Sequence, residues 1–315
     1  MLPAPHRRDV LRTLLGAAAG LAVGSTGFGR AVLAQHGGAS ISATRLGENL
    51  TLISGGGGNV VLAVGPDGAV MVNGGLREHS ADVVRTVSDQ AGGKPVRHLF
   101  NTDWHAEHTG SNEAFGRMGA QIIAHENTVQ YLGAEMFVEW QHRTYKPLPK
   151  PALPTSTFYT SSTMTVGRER IEYGHLGQAH TDGDIYVFFP DANVLVAGDV
   201  LTVGTYPIAD YTTGGWLGGL VTATKTLFDL ANDQTRVVPG TGPLQTRADL
   251  KAQYDMLVTL RDRLGKMMKQ GMGAEDMLAA GATKEFDERC GSPELFVSTA
   301  YRGMWLHVRE LGGIV

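Results

Sequence analysis

Hydrophobic and polar residues alternate with a period of two through much of residues 41–75, which is the pattern of half-buried β-strands. Two apolar runs in this region, Val60–Val64 and Ala69–Val72, flank the sequence Pro66-Asp67-Gly68. Proline, aspartate and glycine are favoured in tight turns, so this arrangement predicts a β-hairpin. The glycine run at 55–58 has no following helix with Lys-Ser or Lys-Thr, so it does not indicate a phosphate-binding loop.

Further along the chain, segments with strand character alternate with segments of helical spacing. Strands are predicted at 96–100, 121–124, 165–174, 184–189, 194–197 and 236–239. Helices are predicted at 80–90, 111–118, 126–132, 215–230 and 247–270. Ser80 is the expected N-cap of the first helix, and the four prolines in residues 146–157 predict an extended excursion over the surface. In each half of the chain strands precede helices, which favours sheets packed between helices.

The first 34 residues are predicted to be an export signal rather than part of the fold. The sequence His6-Arg7-Arg8-Asp9-Val10-Leu11-Arg12 resembles a twin-arginine signal, residues 14–24 are apolar, and Val32-Leu33-Ala34 matches a small-residue cleavage site. The apolar stretch is short and rich in glycine, so a membrane span in the mature protein is not expected. Residues 35–315 would then form a periplasmic domain, delivered by the twin-arginine export machinery.

Composition and charge narrow the choice of partners. The chain has 315 residues and a net charge of −4; removal of the signal, which carries a net +3, leaves −7. A mildly acidic protein without a basic run is not expected to bind nucleic acid. Cys290 is the only cysteine, so an internal disulfide is excluded, and a buried, inert thiol is expected at this position.

The richest chemistry lies in residues 101–112, Asn-Thr-Asp-Trp-His-Ala-Glu-His-Thr-Gly-Ser-Asn. This segment directly follows a predicted strand and places four side chains that can bind metals within six positions: Asp103, His105, Glu107 and His108. A divalent cation needs several such ligands to converge at about 2 Å. His180 and Asp199, further along the chain, extend the predicted active site.

Four motifs in order resemble those of the metallo-β-lactamase fold superfamily, in particular its exported zinc hydrolases. The first is the loop at 101–112, which is similar to Asn-Thr-His-x-His-x-Asp-His-Thr-Gly-Gly-Asn. The others are Gly-Gln-Ala-His-Thr-Asp-Gly-Asp at 177–184, Ala-Gly-Asp at 197–199 and Pro-Gly-Thr-Gly-Pro at 239–243. The resemblance covers most of the mature chain. It implies one domain with a four-layer αββα sandwich made of two similar halves, with the site at one edge.

The resemblance also implies a set of metal ligands, of which three differ in this chain. Asp103 stands in place of the first histidine, Glu107 in place of the loop aspartate, and Thr241 in place of the last histidine. By analogy, the first ion would be held by Asp103, His105 and His180, with Asp199 as a bridge. The second would be held by Glu107, His108 and Asp199, and would be weak or completed by water because a neutral threonine hydroxyl is a poor zinc ligand.

The function implied is a metal-dependent hydrolase of a small carbonyl substrate: a lactone, β-lactam, ester or thioester. Zn²⁺ is the expected metal, as one ion or two, although the extra oxygen ligand also suits Fe²⁺ or Mn²⁺. An activated water would attack the carbonyl. Asp103 would add negative charge and raise the pKa of that water, so Glu107 could serve as the general base instead of as a ligand, with Asp199 as the other catalytic carboxylate.

Several alternatives stay open from the sequence. The protein could be a binding protein of the same fold without turnover, since three usual ligands are replaced, or a redox enzyme with a single iron. Asp103 could cap a turn instead of binding metal, and so could Asp199. His125 is expected to be structural. Aromatic side chains could contact a ligand or simply pack: Trp104, Phe137, Trp140, Tyr145, Tyr206, Tyr211 and Trp216.

Overall fold

The computed structural model describes residues 40–312, so the predicted signal at 1–34 and its cleavage site lie outside the described residues. Within that range the chain forms two large β-sheets and one two-stranded sheet. Among the described residues, none of the helices combines the length and the apolar character needed to cross a bilayer.

The nine strands between residues 40 and 159 build the first large sheet and the two-stranded sheet. They are β1 (Ser42–Arg45), β2 (Leu50–Ser54), β3 (Val60–Val64), β4 (Ala69–Val72), β5 (Val96–Phe100), β6 (Gln121–His125), β7 (Met136–Val138), β8 (Arg143–Tyr145) and β9 (Ser156–Phe158). Strands β7 and β8 pair with each other, and the other seven form a sheet in the order β1-β2-β3-β4-β5-β6-β9. The predicted hairpin is confirmed, because β3 and β4 pair antiparallel with Val61 opposite Val72. From β4 onward the pairing is parallel.

The second large sheet contains five strands. They are β10 (Ser161–Val166), β11 (Glu169–His175), β12 (Ile185–Phe189), β13 (Val194–Gly198) and β14 (Arg236–Pro239), and they lie in chain order. Neighbouring strands are antiparallel except for β13 and β14, which are parallel. Every residue of β13 is buried, so this strand is covered on both faces.

Nine α-helices accompany the sheets within residues 40–312. They are α1 (Ser80–Gln90), α2 (Ala106–Thr109), α3 (Asn112–Arg117), α4 (Glu126–Gly133), α5 (Leu217–Leu230), α6 (Arg247–Lys269), α7 (Ala274–Ala279), α8 (Lys284–Cys290) and α9 (Glu294–Leu306). The five predicted helices are therefore confirmed, with ends that differ by a few residues. Cys290 is buried at the end of α8, with its Sγ 3.7 Å from Met256 Sδ.

Three hydrophobic cores separate four layers. The central core joins the facing sides of the two sheets, with Val61 and Phe100 on one side and Val187 and Val196 on the other. A second core packs α1 and α3 against the outer face of the first sheet. A third packs α5, α6 and α9 against the outer face of the second sheet. The predicted αββα sandwich is confirmed, because each sheet is buried on both faces.

Three local predictions were wrong. The single strand predicted at 165–174 is parts of two strands, β10 and β11, which pair antiparallel around a turn at residues 167–168. The N-cap of α1 is His79, and Ser80 is the first helical residue, because a short 3₁₀ segment at Arg77–His79 leads directly into the helix. The excursion at 146–157 is not extended throughout. It contains a 3₁₀ turn at Lys150–Ala152. Its end joins the first sheet as β9, in which Ser156–Phe158 pairs with β6. This pairing is possible because the last proline of the segment, Pro154, precedes the strand.

Candidate metal centre

The loop that follows β5 is held by buried amide side chains. Asn101 donates from Nδ2 to the His108 carbonyl oxygen and to Asn112 Oδ1, both at 3.0 Å. Asn73 accepts at Oδ1 from the backbone N–H of Thr102 at 2.9 Å and from its hydroxyl at 3.1 Å. Asn73 adopts a positive φ of 65°, a conformation that asparagine tolerates better than most residues. These contacts give the metal-capable side chains of the loop a fixed backbone.

Asp103 and His105 are also fixed to each other. The backbone N–H of His105 donates to Asp103 Oδ1 at 2.7 Å, which orients the carboxylate. His105 then begins α2 as its N-cap, and His108 lies one turn later. All three residues are buried. A short helix after a tight turn therefore turns three metal-capable side chains inward together.

His180 is positioned by the loop between β11 and β12. Its backbone N–H donates to Asp184 Oδ2 at 2.6 Å, and the Thr181 hydroxyl donates to Asp184 Oδ1 at 2.7 Å. The ring Nδ1 lies 2.8 Å from the Ile208 carbonyl oxygen. A carbonyl oxygen accepts only, so Nδ1 carries the proton and Nε2 is left to face the centre.

Asp199 follows β13; Gly198 lets the chain before it pack against Thr102, and Gly240 makes room for its carboxylate. Gly198 has a φ of 56°, and a Cβ there would lie 2.9 Å from Thr102 Cβ. A Cβ at Gly240 would lie 1.8 Å from Asp199 Oδ1 and 3.0 Å from His108 Cε1. The carboxylate thus occupies the space that any larger residue at 240 would need.

The first group of converging donors is Asp103, His105 and His180. His105 Nδ1 lies 3.1 Å from Asp103 Oδ1 and 3.2 Å from His180 Nε2. The second group is Asp103, His108 and Asp199. His108 Nε2 lies 3.3 Å from Asp103 Oδ2 and 3.2 Å from Asp199 Oδ1. Asp199 Oδ2 is 3.7 Å from His180 Nε2, so the two groups adjoin.

These separations fit ligands of a metal ion. Donors about 2.0–2.2 Å from one tetrahedral ion lie about 3.3–3.6 Å apart, close to the distances within both groups. Among residues 40–312, His105 Nε2 and both ring nitrogens of His108 are buried without a hydrogen-bond partner. Unpaired buried polar atoms are costly, and a cation at His108 Nε2 would satisfy one of them. The imidazole and carboxylate donors suit Zn²⁺, Fe²⁺ or Mn²⁺.

The carboxylates dominate the electrostatics of the centre. Burial alone would lower the pKa of His108, but Asp103 and Asp199 outweigh it and raise that pKa to about 10. Burial also opposes protonation of His105, yet the Asp103 and Asp210 carboxylates beside its ring raise its pKa well above the usual value. Conversely, His108 and His105 hold the pKa of Asp103 below its usual range despite its burial. The centre attracts positive charge, and a divalent cation would replace protons on its imidazoles.

Sequence reasoning missed two buried carboxylates that support the ligands. Asp210 Oδ2 lies 3.5 Å from His105 Nε2, and its carboxylate accepts from the Thr212 N–H and the Thr213 hydroxyl, both at 3.0 Å. Carboxylates in this position orient metal-binding imidazoles. Asp184 belongs to the recognised motif at 177–184, which could have indicated it. Nothing in the local sequence around Asp210 points to its role.

Two residues of the expected second site belong to neither donor group found within residues 40–312. Glu107 is half-buried on α2, and its backbone oxygen packs against Gly58. Thr241 is partly buried in the segment after β14. The Asn59 side chain holds that segment by donating to the Pro239 carbonyl at 3.0 Å and to the Gly242 carbonyl at 2.8 Å.

The aromatic side chains surround the centre or lie away from it. Trp104 stacks on His105 with ring centroids 4.1 Å apart, and Tyr145 meets the Trp104 ring edge-on at 5.0 Å. His125 is buried and stacks on His175 at 3.8 Å, as expected for a structural residue. Tyr206 packs against Phe296 in the third core. The β7–β8 hairpin, which carries the half-exposed Phe137, lies beside Trp104.

Comparison with known proteins agrees with this architecture. The family model of the metallo-β-lactamase superfamily matches residues 53–253. A metallo-β-lactamase from Pontibacter korlensis has 19% identity and a TM-score of 0.57, over 70% of this chain and 99% of that chain. DIM-1 metallo-β-lactamase has 17% identity and a TM-score of 0.56, over 70% and 98%. The mono-zinc form of FIM-1 from Pseudomonas aeruginosa has 14% identity and a TM-score of 0.53, over 70% and 96%.

The structural likenesses at these identities show a shared fold, whereas the family model covers more than half of the chain. Two sheets enclosed by helices and a buried group of histidines and aspartates at the loop after β5 are consistent with that match. The chain belongs to the metallo-β-lactamase superfamily.

Proposed function

We propose that this protein is a metal-dependent hydrolase of a small carbonyl substrate, such as a lactone, β-lactam, ester or thioester. The observation that carries the proposal is the convergence of buried imidazole and carboxylate donors at separations that suit bound metal. Membership of the superfamily supports a metal-dependent hydrolase at this coarse level. Fold alone would not, because one fold can host many reactions.

Asp103, His105 and His180 would hold one divalent ion, and Asp103, His108 and Asp199 offer donors for a second. Such an ion, when bound, polarises a carbonyl and acidifies water. Asp210 and the Ile208 carbonyl hold the His105 and His180 rings in place through the nitrogens that face away from the ion.

The route into the centre is inferred from the exposed fraction of each side chain. The Asp199 side chain is 17% exposed, His180 is 7%, and the side chains of Asp103 and His108 are 2% and 0% exposed. We therefore expect substrate and water to enter beside Asp199. In this position the Asp199 carboxylate can accept a hydrogen bond from the attacking water and help to align it with the carbonyl.

Glu107 is the proposed general base. Its carboxylate raises the pKa values of both His105 and His108, so its charge acts on the same centre, although it belongs to neither donor group. A carboxylate that is close to the site but is not a ligand can accept a proton from the attacking water.

Hydrolysis assays on the mature protein would test the function. The protein would be loaded with Zn²⁺, Mn²⁺ or Fe²⁺ and assayed with one β-lactam, one lactone, one ester and one thioester. We expect turnover of at least one class, lost on chelation and in His180→Ala. Lys225→Ala, on the exposed face of α5, is the matched control and should retain wild-type rates. Full metal occupancy without turnover of any class would contradict the hydrolase and favour a binding protein.

The oxygen-rich donor set supports a second candidate, redox chemistry at iron. Two imidazoles and a carboxylate, the donors of the first group, also suit a single Fe²⁺. The element bound by protein purified from its native compartment separates the two. Iron accompanied by oxygen consumption would favour the redox enzyme, and zinc accompanied by hydrolysis would favour the hydrolase.

We also propose that the protein acts in the periplasm after twin-arginine export. The paired arginines at 7 and 8 support this location. Cell fractionation of the wild type and of the double variant Arg7→Lys, Arg8→Lys would test it. Retention of the double variant in the cytoplasm is expected, and export of both proteins would contradict the proposal.

A further inference from the structure

Asp103 takes part in both donor groups through different oxygens. Its Oδ1 lies 3.1 Å from His105 Nδ1, in the group with His180. Its Oδ2 lies 3.3 Å from His108 Nε2, in the group with Asp199. The side chain is 2% exposed, so both oxygens are committed to the interior of the centre.

The chemistry of the side chain at position 103 matters here. An imidazole offers a metal one nitrogen, because its other nitrogen points away, whereas a carboxylate offers two oxygens that can bind separate ions. The His105 N–H donates to Asp103 Oδ1 and fixes the rotation of the carboxylate. With Oδ1 turned toward His105, Oδ2 faces His108. An aspartate at this position can therefore do what a histidine cannot.

We propose that Asp103 is a bridging ligand between two divalent cations, one held with His105 and His180 and the other with His108 and Asp199. Asp199 also lies close to both groups, with Oδ1 3.2 Å from His108 Nε2 and Oδ2 3.7 Å from His180 Nε2. The inference deepens the proposed metal-dependent function and rests on it.

The His108 side chain is an independent indication of the second cation. Its imidazole is fully buried, and within the described part of the chain neither ring nitrogen makes a hydrogen bond, although Nε2 lies 3.2 Å from Asp199 Oδ1 and 3.3 Å from Asp103 Oδ2. A buried polar group in this state costs free energy unless something pairs with it, and a cation at Nε2 would do so. Three donors come from Asp103, His108 and Asp199, so this site requires neither Glu107 nor Thr241.

Charge also favours cations at this centre. The carboxylates of Asp103 and Asp199 lie within the two groups, and Asp210 lies 3.5 Å from His105 Nε2. Three negative charges so close together, two of them fully buried, need compensation. Divalent cations at the two donor groups would supply it.

The experiment uses the mature protein loaded with Mn²⁺. Elemental analysis and metal titration give the number of bound ions, and electron paramagnetic resonance shows whether they are magnetically coupled. We expect two coupled ions in the wild type. Asp103→Asn retains one carbonyl oxygen and Asp103→His one ring nitrogen. Each variant should lower the affinity for the second ion by about 100-fold or more, so that a single, uncoupled ion remains bound.

His108→Ala should likewise keep one uncoupled ion, because it leaves the first group intact. Asp233→Asn, on a carboxylate that is 91% exposed, is the matched control and should keep the coupled pair. Asp103→His keeps a metal donor in the first group, so this variant still tests the bridge if Asp103→Asn fails to bind any ion. Circular dichroism of each variant checks that the fold is retained.

A wild type with one ion, or with two uncoupled ions, would overturn the bridge. So would an Asp103→His variant that holds both ions with wild-type affinity, since Asp199 alone would then join them. The assay is independent of turnover. A coupled pair of ions without hydrolysis would support the bridging role of Asp103 and contradict the proposed hydrolase. Hydrolysis with a single bound ion would support the hydrolase and contradict the bridging role.

Discussion

Gly240 offers a sharp test of the metal centre, because it contacts the centre without contributing a ligand. In Gly240→Ala the new Cβ would lie 1.8 Å from Asp199 Oδ1, although Cβ atoms essentially never approach another atom within 3.0 Å. Either the carboxylate or the backbone must move by roughly 1.2 Å. Metal–ligand distances tolerate errors of only about 0.2 Å, so the required displacement is about six times that tolerance.

The expected result is a loss of metal affinity together with a loss of stability. We expect the ion held by Asp199 to bind about 10–100-fold more weakly, which is the range seen when the support of a metal ligand is removed. Overpacking should also cost about 1–3 kcal/mol of unfolding free energy in the metal-free protein. Competition with a chromophoric chelator measures the affinity, and thermal unfolding measures the stability.

Gly133→Ala is the matched control. A Cβ at Gly133 would meet no described atom within 4 Å, and this glycine has an ordinary backbone conformation at the end of α4. Its affinity for metal should equal that of the wild type. If Gly240→Ala also bound metal as tightly as the wild type, Asp199 would not be a ligand at the position described, and the reasoning from this contact would fail.

Three further predictions concern single side chains. Asp210→Asn should weaken metal binding by about 10–100-fold, because His105 loses the carboxylate beside Nε2; chelator competition measures it. Glu107→Gln should lower kcat about 10²–10⁴-fold at unchanged metal content, measured by steady-state kinetics and elemental analysis. Burial and His175 lower the pKa of His125 to about 4 in the folded protein. The pKa of an unperturbed histidine is about 6.5, so as the pH falls the unfolded chain takes up a proton before the folded protein does. Stability should therefore decrease from about pH 6.5 toward pH 4, by about 1–2 kcal/mol after a discount for solvent screening, and chemical denaturation of wild type and His125→Asn should show it.

Each of these has a clear contrary outcome. Unchanged metal affinity in Asp210→Asn would show that this carboxylate does not position His105. Wild-type turnover and metal content in Glu107→Gln would exclude Glu107 as the general base. His125→Asn keeps a side-chain oxygen that can cap α4, as the His125 ring nitrogen does. If the stability of His125→Asn decreased as steeply as that of the wild type when the pH falls, the acid sensitivity would come from groups other than His125.

The sequence was most informative where a signal is local. The hairpin of β3 and β4 followed from alternating apolar residues around a proline-aspartate-glycine turn, and the long helix α6 followed from its apolar spacing. Both patterns report how one element buries its own face. The start of α1 was misplaced by one residue, because a preceding 3₁₀ turn makes His79 the N-cap, and this depends on how the chain enters the helix.

The candidate ligands were also chosen from the sequence, as residue types at short spacing in the loop after β5 and at two later motifs. Their arrangement was not predictable in the same way. His105 and His180 are 75 positions apart, yet their ring nitrogens lie 3.2 Å from each other. Separations of this kind depend on how the two sheets pack and on where the loops at their edges meet.

What the sequence alone determined was five of the helices, most strands of the two large sheets, the superfamily resemblance and the residue types able to bind metal. Only the tertiary structure brought Asp103 into both donor groups, placed Asp210 beside His105 and put Gly240 against Asp199. The physical reason is the distance along the chain over which each effect acts. Periodicity and turn chemistry act between residues that are close in sequence. A metal centre depends on distances between loops that become close only when the sheets and helices have packed together.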